Sequence, residues 1–195
     1  MSLYPFIFCD NNRLFSMNTT RLLIIIVFIL ILMIYIQYYS KFNKDNEIVQ
    51  TFLDKITLNL LYERNPIVIY DSIKTPKQLL GTLFKYSYLT KKEYVINHKY
   101  PTISRAKFSF IYSIENTYVN LINPTFKNSM KWIKNSQGEK VSTQKLEETN
   151  VEYMTIKLKP YQVVIIPSHW IIQCETHLNK VDLDDLLSRI YFTFM

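Results

Sequence analysis

The sequence predicts an α+β protein in which an N-terminal transmembrane helix is followed by helices that pack on an antiparallel sandwich or barrel. Three observations lead to this fold class. An unbroken apolar run lies near the N-terminus, apolar residues at helical spacing follow it, and about six short strands separated by polar turns fill the remainder. Fifteen tyrosines and twelve phenylalanines in 195 residues provide enough large side chains to bury a core.

Residues 22–36 form the apolar run, which predicts a membrane-spanning helix over residues 21–39. Extended to Tyr39, this helix is about 27 Å long, close to the ~30 Å hydrocarbon core of a bilayer. Arg21 lies at one end, and tyrosines and Lys41 lie at the other, as expected at the two lipid–water interfaces. A cleaved signal peptide is disfavoured because no small-x-small cleavage site follows. The lipid bilayer is therefore a predicted partner through residues 21–39.

The side of the membrane that the C-terminal domain occupies is not fixed by charge, because basic residues flank the run on both sides. The C-terminal region has no glycosylation sequon, which favours a cytosolic or virion-interior location in a host or virion membrane. Cys9 and Cys174 lie on opposite sides of the run, so they cannot form an intramolecular disulfide. Cys174 is expected to be a small buried residue.

The chain divides into a tail at residues 1–20, the transmembrane helix at 21–39, a linker with an amphipathic helix at 40–64 and a domain at 65–195. The amphipathic helix is predicted because apolar residues recur at helical spacing over residues 48–61. A second helix is predicted over residues 75–86, because Thr75-Pro76 places a proline in its first turn.

Strands dominate the rest of the domain. Residues 135–150 are polar and predict an exposed loop. A last helical turn is predicted at residues 184–188, where Asp182, Asp184 and Asp185 are expected to act as caps, and a strand is predicted at 189–194. The other predicted strands lie at residues 67–70, 103–113, 118–122, 130–134, 151–158, 163–166 and 170–174.

Two segments carry a resemblance to a known family. The residues from Leu158 to Trp170, LKPYQVVIIPSHW, and those from Asn120 to Pro124, NLINP, resemble late core segments of the JmjC and cupin-like oxygenases. The two segments occur in the family's order, and the resemblance covers roughly residues 103–195. It implies a double-stranded β-helix (jelly-roll) core, onto which the helices pack. Pro124, Pro167 and Trp170 are the residues to which it assigns an architectural role.

The resemblance also implies where a metal would be held. Enzymes of this family bind Fe(II) with two histidines and one carboxylate, and they leave positions open for 2-oxoglutarate and oxygen. Matched without gaps, the three ligand positions fall at Ile103, Arg105 and Ile172, and a lysine that often pairs with oxoglutarate falls near Tyr118. No ligand is retained. The sequence therefore predicts no catalytic, cofactor-binding or metal site of the family's kind.

Other catalytic arrangements find little support in the residues. His98, His169 and His177 have no zinc-like spacing and are interpreted as surface or loop residues. Gly81 and Gly138 are the only glycines and lie far apart, which excludes a P-loop, a Rossmann fingerprint and a GxSxG elbow. Nothing in the sequence indicates Ser/His/Asp catalysis.

These observations predict a membrane-anchored, catalytically inactive cupin-like domain with a structural or interaction role and an unidentified protein partner. Residues 74–140 hold twelve Lys or Arg against three acids, and we interpret this region as a solvated basic face, with nucleic acid disfavoured. Heavy use of Ile, Lys, Asn and Tyr is typical of AT-rich genomes and suggests a viral membrane or virion protein. The alternatives are a divergent Fe(II)/2-oxoglutarate oxygenase and a tethered module that binds anionic lipid or nucleic acid.

Overall fold

The computed structural model describes residues 19–40, 43–73, 79, 83, 90–136 and 138–194. The chain forms two compact units, of which the first ends at Tyr38 and the second begins at Tyr39. Helix α1 extends over Thr19–Ser40, and none of its most apolar 18-residue window is buried inside the protein. Among the described residues, it is the one helix long and apolar enough to cross a membrane.

Most of the second unit consists of short strands. The further α-helices whose bounds the structure describes are α2 at Leu58–Tyr62 and α3 at Leu186–Phe194, and 3-10 turns lie at Leu53–Lys55, Pro124–Ser129 and Leu146–Glu148. The strands are β1 Val49–Thr51, β2 Ile67–Ile69, β3 Thr90–Ile96, β4 Thr102–Ile103, β5 Phe108–Tyr112, β6 Thr117–Ile122, β7 Trp132–Lys134, β8 Lys140–Ser142, β9 Met154–Leu158, β10 Val163–Pro167, β11 Ile171–Gln173 and β12 Leu178–Asp184.

The strands form two six-stranded sheets. Sheet A has the order β1-β2-β10-β5-β12-β3, and sheet B has the order β7-β8-β4-β11-β6-β9. Within them, β3, β12, β5 and β10 are neighbours in sheet A, while β4, β11, β6 and β9 are neighbours in sheet B. Of these eight strands, β3 is the first in the chain and β12 is the last, and the two pair with each other. From one of the eight to the next the chain changes sheet, except between β6 and β9. This order defines a double-stranded β-helix, and it confirms the cupin-like core that the sequence predicts.

The core of the domain lies on both faces of sheet A. In β10, Val164 and Ile166 point between the sheets, whereas Val163 and Ile165 point to the outer face, because successive strand residues alternate. The outer cluster also contains Leu61 of α2. This helix belongs to the N-terminal segment of the domain, residues 43–66, which precedes β2. All five residues of β10 are buried, and this explains why that strand is an unbroken apolar run in the sequence.

The N-terminal segment differs from its prediction. In place of a helix of about four turns over residues 48–61, the structure has β1, a 3-10 turn and the five-residue α2. Strand β1 pairs with β2 in parallel, and the Thr57 hydroxyl caps α2 by accepting from the amide of Leu60. Leu53 and Ile56 still pack on the outer cluster. The apolar spacing therefore indicated correctly that the segment has a buried face. The pairing of β1 with β2, however, determined the conformation of the segment. The helix predicted at residues 75–86 lies mostly outside the described residues.

The C-terminal region also differs. The strand predicted at residues 189–194 belongs to α3, and the strand β12 that precedes it was not predicted. Lys180 and Asp182 interrupt the apolar alternation of β12, which hid the strand in the sequence. Strand β3 was missed for the same reason, since four of its seven residues are charged or polar and exposed. The loop predicted at residues 135–150 contains β8 and a 3-10 turn whose Leu146 is buried.

Pro124, Pro167 and Trp170, the three residues with a predicted architectural role, are all buried. Trp170 is 2% exposed in the interior cluster, and its indole Nε1 donates to the carbonyl of Arg64 at 3.0 Å. Pro167 ends β10. Pro124 is buried at the first position of a 3-10 turn, where a proline requires no amide partner. Trp170 thus joins the barrel to the segment that precedes β2.

Replacing Trp170 with alanine should lower the free energy of unfolding by about 3–5 kcal/mol, because it empties a buried site and leaves a carbonyl without its donor. Chemical denaturation of the full chain in detergent, followed by far-ultraviolet circular dichroism, measures this loss. Trp132→Ala is the matched control, since Trp132 is only half-buried. Equal losses for the two variants would contradict the central position of Trp170.

Candidate functional site

The positions matched to the iron ligands lie on different faces of sheet B. Ile103 pairs with Ile171, and both belong to a cluster on the outer face. Ile172 pairs with Thr102 and belongs to the cluster between the sheets. Ligands of one ion need a common face, so the gapless match is wrong at Ile103. Thr102, not Ile103, shares the interior face with Ile172.

The residues that do face the interior from β4 and its continuation are Thr102 and Ser104. The Ser104 hydroxyl lies 2.8 Å from the hydroxyl of Ser109 on β5. Arg105 donates from its guanidinium to the carbonyls of Gly138, at 2.5 Å, and Phe192. Neither the matched positions nor the interior-facing positions carry an imidazole or a carboxylate, so the residues present do not fit an Fe(II) site of the family's kind.

The other candidate residues that the structure describes do not form a metal site either. Tyr118, matched to the oxoglutarate lysine, is 59% exposed on the outer face of β6. Among the described residues, no group of three or more His, Cys, Asp or Glu is placed to hold a metal ion. His177 is exposed, as expected. His169 lies in a turn but is buried, with its ring 5.5 Å from that of Tyr191, so its interpretation as a surface residue is wrong.

A cavity of about 820 Å³ opens beside β3 and β12. The turn between β7 and β8 and one side of α3 complete its wall. The side chains that line it are mostly polar, and they carry both signs of charge. They include Tyr94, His98, Arg105, Asp182, Asp184 and Phe192.

Four side chains at this cavity and directly behind it form a charged cluster: Tyr94, Ser109, Lys180 and Asp182. The Ser109 hydroxyl donates to Asp182 Oδ1 at 2.5 Å, and Lys180 Nζ lies 3.3 Å from Asp182 Oδ2. The Tyr94 hydroxyl donates to Asp182, and the Lys180 ammonium lies 5.2 Å from the centre of the Tyr94 ring. One carboxylate therefore accepts from three neighbours.

The register of sheet A brings this cluster together. Lys180 and Asp182 are two apart on β12, so both point into the barrel. Lys180 lies opposite Tyr94 on β3, and Asp182 lies opposite Ser109 on β5. A slip of one residue would turn both charges to the apolar outer cluster, so their burial also specifies the register.

The cluster is buried, and burial affects the protonation of its tyrosine. The side chain of Lys180 is 3% exposed and that of Asp182 is 12% exposed, and such a pair is tolerated only because each charge has a partner. Burial, together with the negative charge of Asp182, raises the pKa of Tyr94 far above its usual range. The tyrosine hydroxyl is therefore a proton-bearing donor at neutral pH, and not a base.

His98 lies at the other end of the cavity wall. Its Nε2 atom is buried and has no hydrogen-bond partner among the described residues. Burial, reinforced by the charge of Lys180, lowers the pKa of His98 to about 4, so the ring is neutral. Its backbone amide donates to the Cys174 Sγ atom at 3.3 Å. Burial raises the pKa of that thiol, and the prediction that Cys174 is buried is confirmed.

Sequence reasoning missed this cluster because its residues look like parts of other elements. Asp182 was expected to cap the last helical turn, but it points into the barrel. The cap is Asp185, whose carboxylate accepts from the amide of Ser188 at 2.7 Å, while Asp184 accepts from the Ser188 hydroxyl at 3.1 Å. The available signal was the alternation LNKVDLD, in which Leu178, Lys180 and Asp182 share one face.

No family model matches the chain, and no curated protein matches it. By structure, 40 solved chains match. One is RmlC from Streptococcus suis in complex with dTDP-D-xylose, with 9% sequence identity over 62% of this chain and a TM-score of 0.29. The chain spans 61% of that structure's length. At these values, the assignment of a double-stranded β-helix rests on the strand order alone.

The buried ion pair should show strong coupling. Lys180→Met leaves the Asp182 carboxylate buried without its cation, and we expect a loss of about 3–5 kcal/mol in the free energy of unfolding. The double variant Lys180→Met/Asp182→Asn should lose less than the sum of the two single variants, because it removes both charges. A double-mutant cycle by chemical denaturation measures this coupling. Additive losses would mean that the two charges do not interact.

The buried His169 and the half-buried His98 should make the folded domain sensitive to acid. Burial and the charge of Arg64 lower the pKa of His169 to about 3, and the pKa of His98 is about 4. An unfolded histidine has a pKa of about 6.5, so below that pH the unfolded chain binds more protons than the folded one. The free energy of unfolding should therefore fall, by roughly 2 kcal/mol per histidine, as the pH decreases from about 7 to about 5.

Denaturant unfolding at a series of pH values measures this dependence. His98→Gln is expected to remove about half of the histidine contribution. The exposed His177→Gln variant is the matched control. The same pH dependence in the wild-type chain and in His98→Gln would show that His98 is not buried as a neutral ring.

Proposed function

We propose that this chain is a single-pass membrane protein whose cupin-like domain does not use iron and serves a structural or interaction role in place of catalysis. The observation that carries the proposal is the composition of the barrel interior on sheet B. Thr102, Ser104 and Ile172 face the interior on the strands that supply iron ligands in the JmjC-like enzymes. A hydroxyl is a poor Fe(II) ligand and an isoleucine is none.

The charged cluster supports the same proposal. Tyr94, Ser109, Lys180 and Asp182 bind one another, and the pKa of the tyrosine excludes it as a base. Catalytic groups usually have a pKa near the working pH, so that they can exchange protons. Because its groups bind one another, the cluster forms a fixed part of the cavity wall, and recognition of a polar group falls to the other polar side chains that line the cavity. We therefore assign the interaction role to the cavity beside β3 and β12.

The basic region at residues 74–140 gives weaker support for a binding function. Lys107 pairs with Asp185 at 2.5 Å, and Arg105 is engaged by two carbonyls. Lys91 and Lys92 lie on β3, and the remaining lysines lie on other strands and turns, so the described cations are spread over several elements. Binding of nucleic acid remains disfavoured on this distribution.

The apolar helix α1 supports the membrane anchor, because no residue of its most apolar window is covered by protein. An exposed face of this length costs much free energy in water, at about 25 cal/mol per Å² of apolar surface. We propose the bilayer as its surroundings. The composition typical of AT-rich genomes favours a membrane or virion of a large DNA virus as the setting.

Iron content tests the proposal. The full chain, purified anaerobically in detergent and offered Fe(II), should retain far less than one iron per chain after desalting, because no imidazole lies on the interior positions. Elemental analysis measures the iron, and an oxygenase with an intact facial triad, loaded in the same buffer, is the positive control. Stoichiometric iron together with turnover of 2-oxoglutarate would establish the oxygenase alternative and overturn the proposal.

A further inference from the structure

A small cavity lies beside Ile103, whose side chain belongs to the cluster on the outer face of sheet B. The volume of this cavity is about 10 Å³, which is space for about one water-sized group. Three of its lining residues are cations, and none of the described lining residues is an acid. The lining residues are Ile103, Arg105, Lys127, Lys140, His169 and Phe192.

The three cations come from separate elements that the pairing of the strands brings together. Arg105 follows β4, Lys127 lies in the 3-10 turn Pro124–Ser129, and Lys140 begins β8. Strand β8 pairs with both β4 and β7. The indole Nε1 of Trp132 on β7 donates to the carbonyl of Lys127 at 2.7 Å, which ties the turn to the same strands. The convergence of the three charges is therefore fixed by the backbone.

The positive charge of the two lysines is not balanced by a neighbouring carboxylate. Among the described residues, neither Lys127 nor Lys140 forms an ion pair. Glu139, the residue next to Lys140, lines the larger cavity and accepts from Asn135 Nδ2 at 3.0 Å. The residue directly opposite Lys140 on β7 is Lys134, another cation. Like charges in this arrangement destabilise a sheet, so the fold tolerates a repulsion that an anion would relieve.

The protonation of the neighbouring groups shows the same excess of positive charge. Burial, together with the charge of Lys140, lowers the pKa of Lys127. Burial, followed by the charges of Arg64, Lys127 and Lys140, lowers the pKa of His169 to about 3, so this ring is neutral and adds no charge. A negative charge bound between the lysines would favour their protonated forms.

The size of the cavity and the number of cations select the kind of anion. A phosphate group carries a charge of about −1.5 to −2 at neutral pH and has strong acceptor oxygens, so it matches several cations better than a halide does. One of its oxygens fills the space of one water-sized group, and the others remain at the opening. Arg105, Lys127 and Lys140 are only half-buried, which leaves this opening accessible. Guanidinium and ammonium groups are the usual donors to phosphate oxygens.

Arg105 retains donors for such a ligand. Its guanidinium has five N–H groups, of which two donate to the carbonyls of Gly138 and Phe192. These two bonds also hold the planar group in place, so that it is oriented before a ligand binds.

We propose that the cavity beside Ile103 binds a phosphate group, either free or as the terminal monoester of a small molecule, through Arg105, Lys127 and Lys140. This site is distinct from the larger cavity beside β3 and β12, although Arg105 and Phe192 line both. All of its residues belong to the second unit, so the proposal does not depend on the membrane anchor.

Isothermal titration calorimetry of the full chain in detergent tests the proposal. The buffer is at neutral pH and contains gluconate in place of chloride, at constant ionic strength. Inorganic phosphate and glycerol 3-phosphate are titrated separately into the wild-type chain and into Lys127→Met and Lys140→Met. Lys157→Met is the matched control, because Lys157 is an exposed lysine on β9, at the opposite edge of sheet B. Both cavity variants should fold, since each removes a repelling charge and keeps a side chain of similar length.

We expect one phosphate group to bind per wild-type chain, about tenfold more weakly in each cavity variant, and with unchanged affinity in Lys157→Met. Phosphate should also raise the midpoint of thermal unfolding of the wild-type chain and of the control, but much less that of the cavity variants. Tighter binding of glycerol 3-phosphate than of inorganic phosphate would identify the ligand as a monoester, and the reverse order would identify free phosphate.

Three results would overturn the proposal. The first is a wild-type chain that shows neither binding heat nor a higher unfolding midpoint with phosphate. The second is equal affinity in the wild-type chain, both cavity variants and the control, which would place the phosphate elsewhere. The third is displacement of phosphate by chloride at equal concentration, which would show that the cavity does not prefer a phosphate group.

Discussion

A single buried arginine holds the second unit together at its start. The backbone of Arg64 accepts the indole proton of Trp170, and its side chain donates to Tyr39 and Ser168. The N-terminal segment, the end of β10 and the start of β11 are thereby fixed to one residue. Because hydrogen bonds to a charged donor are the stronger ones, and because their partners are buried, few other residues are suited to this position. Arg64 thus joins the segment before β2 to the turn between β10 and β11.

The barrel interior combines two kinds of core. Toward β9 and β10 it is apolar and closely packed, with Val119, Leu158 and Val164 fully buried. Toward β3 and β12 it holds the charged cluster. Replacing a buried ion pair by apolar residues is often neutral or stabilising, so stability alone does not account for a lysine and an aspartate inside a barrel. Specification of the strand register is the role that the geometry supports for them.

Much of the core was predictable from sequence, and most of the candidate site was not. Apolar strands such as β6 and β10 and the buried Trp170 were visible because their side chains face a dry core. Strands β3 and β12 were hidden because polar residues interrupt their alternation, and Asp182 looked like a helix cap. To find the positions that correspond to the iron ligands, the face of the sheet on which each residue lies must be known. Spacing alone does not distinguish Thr102 from Ile103, which are adjacent and lie on opposite faces. The helix predicted over residues 48–61 was too long because β1 pairs with β2, and such a contact between distant residues is not visible in local spacing.

Strand β3 ends sheet A, and its composition has a consequence for how copies of this chain behave when crowded. Lys91, Lys92 and Glu93 are exposed in succession along this edge. Another strand that docked there would strip water from these charges, and such desolvation opposes edge-to-edge pairing. In the membrane setting proposed above, confinement to a plane raises the local concentration of the chain and favours pairing between exposed sheet edges. The charged border of β3 works against this, so neighbouring domains can be packed densely without fusing their sheets.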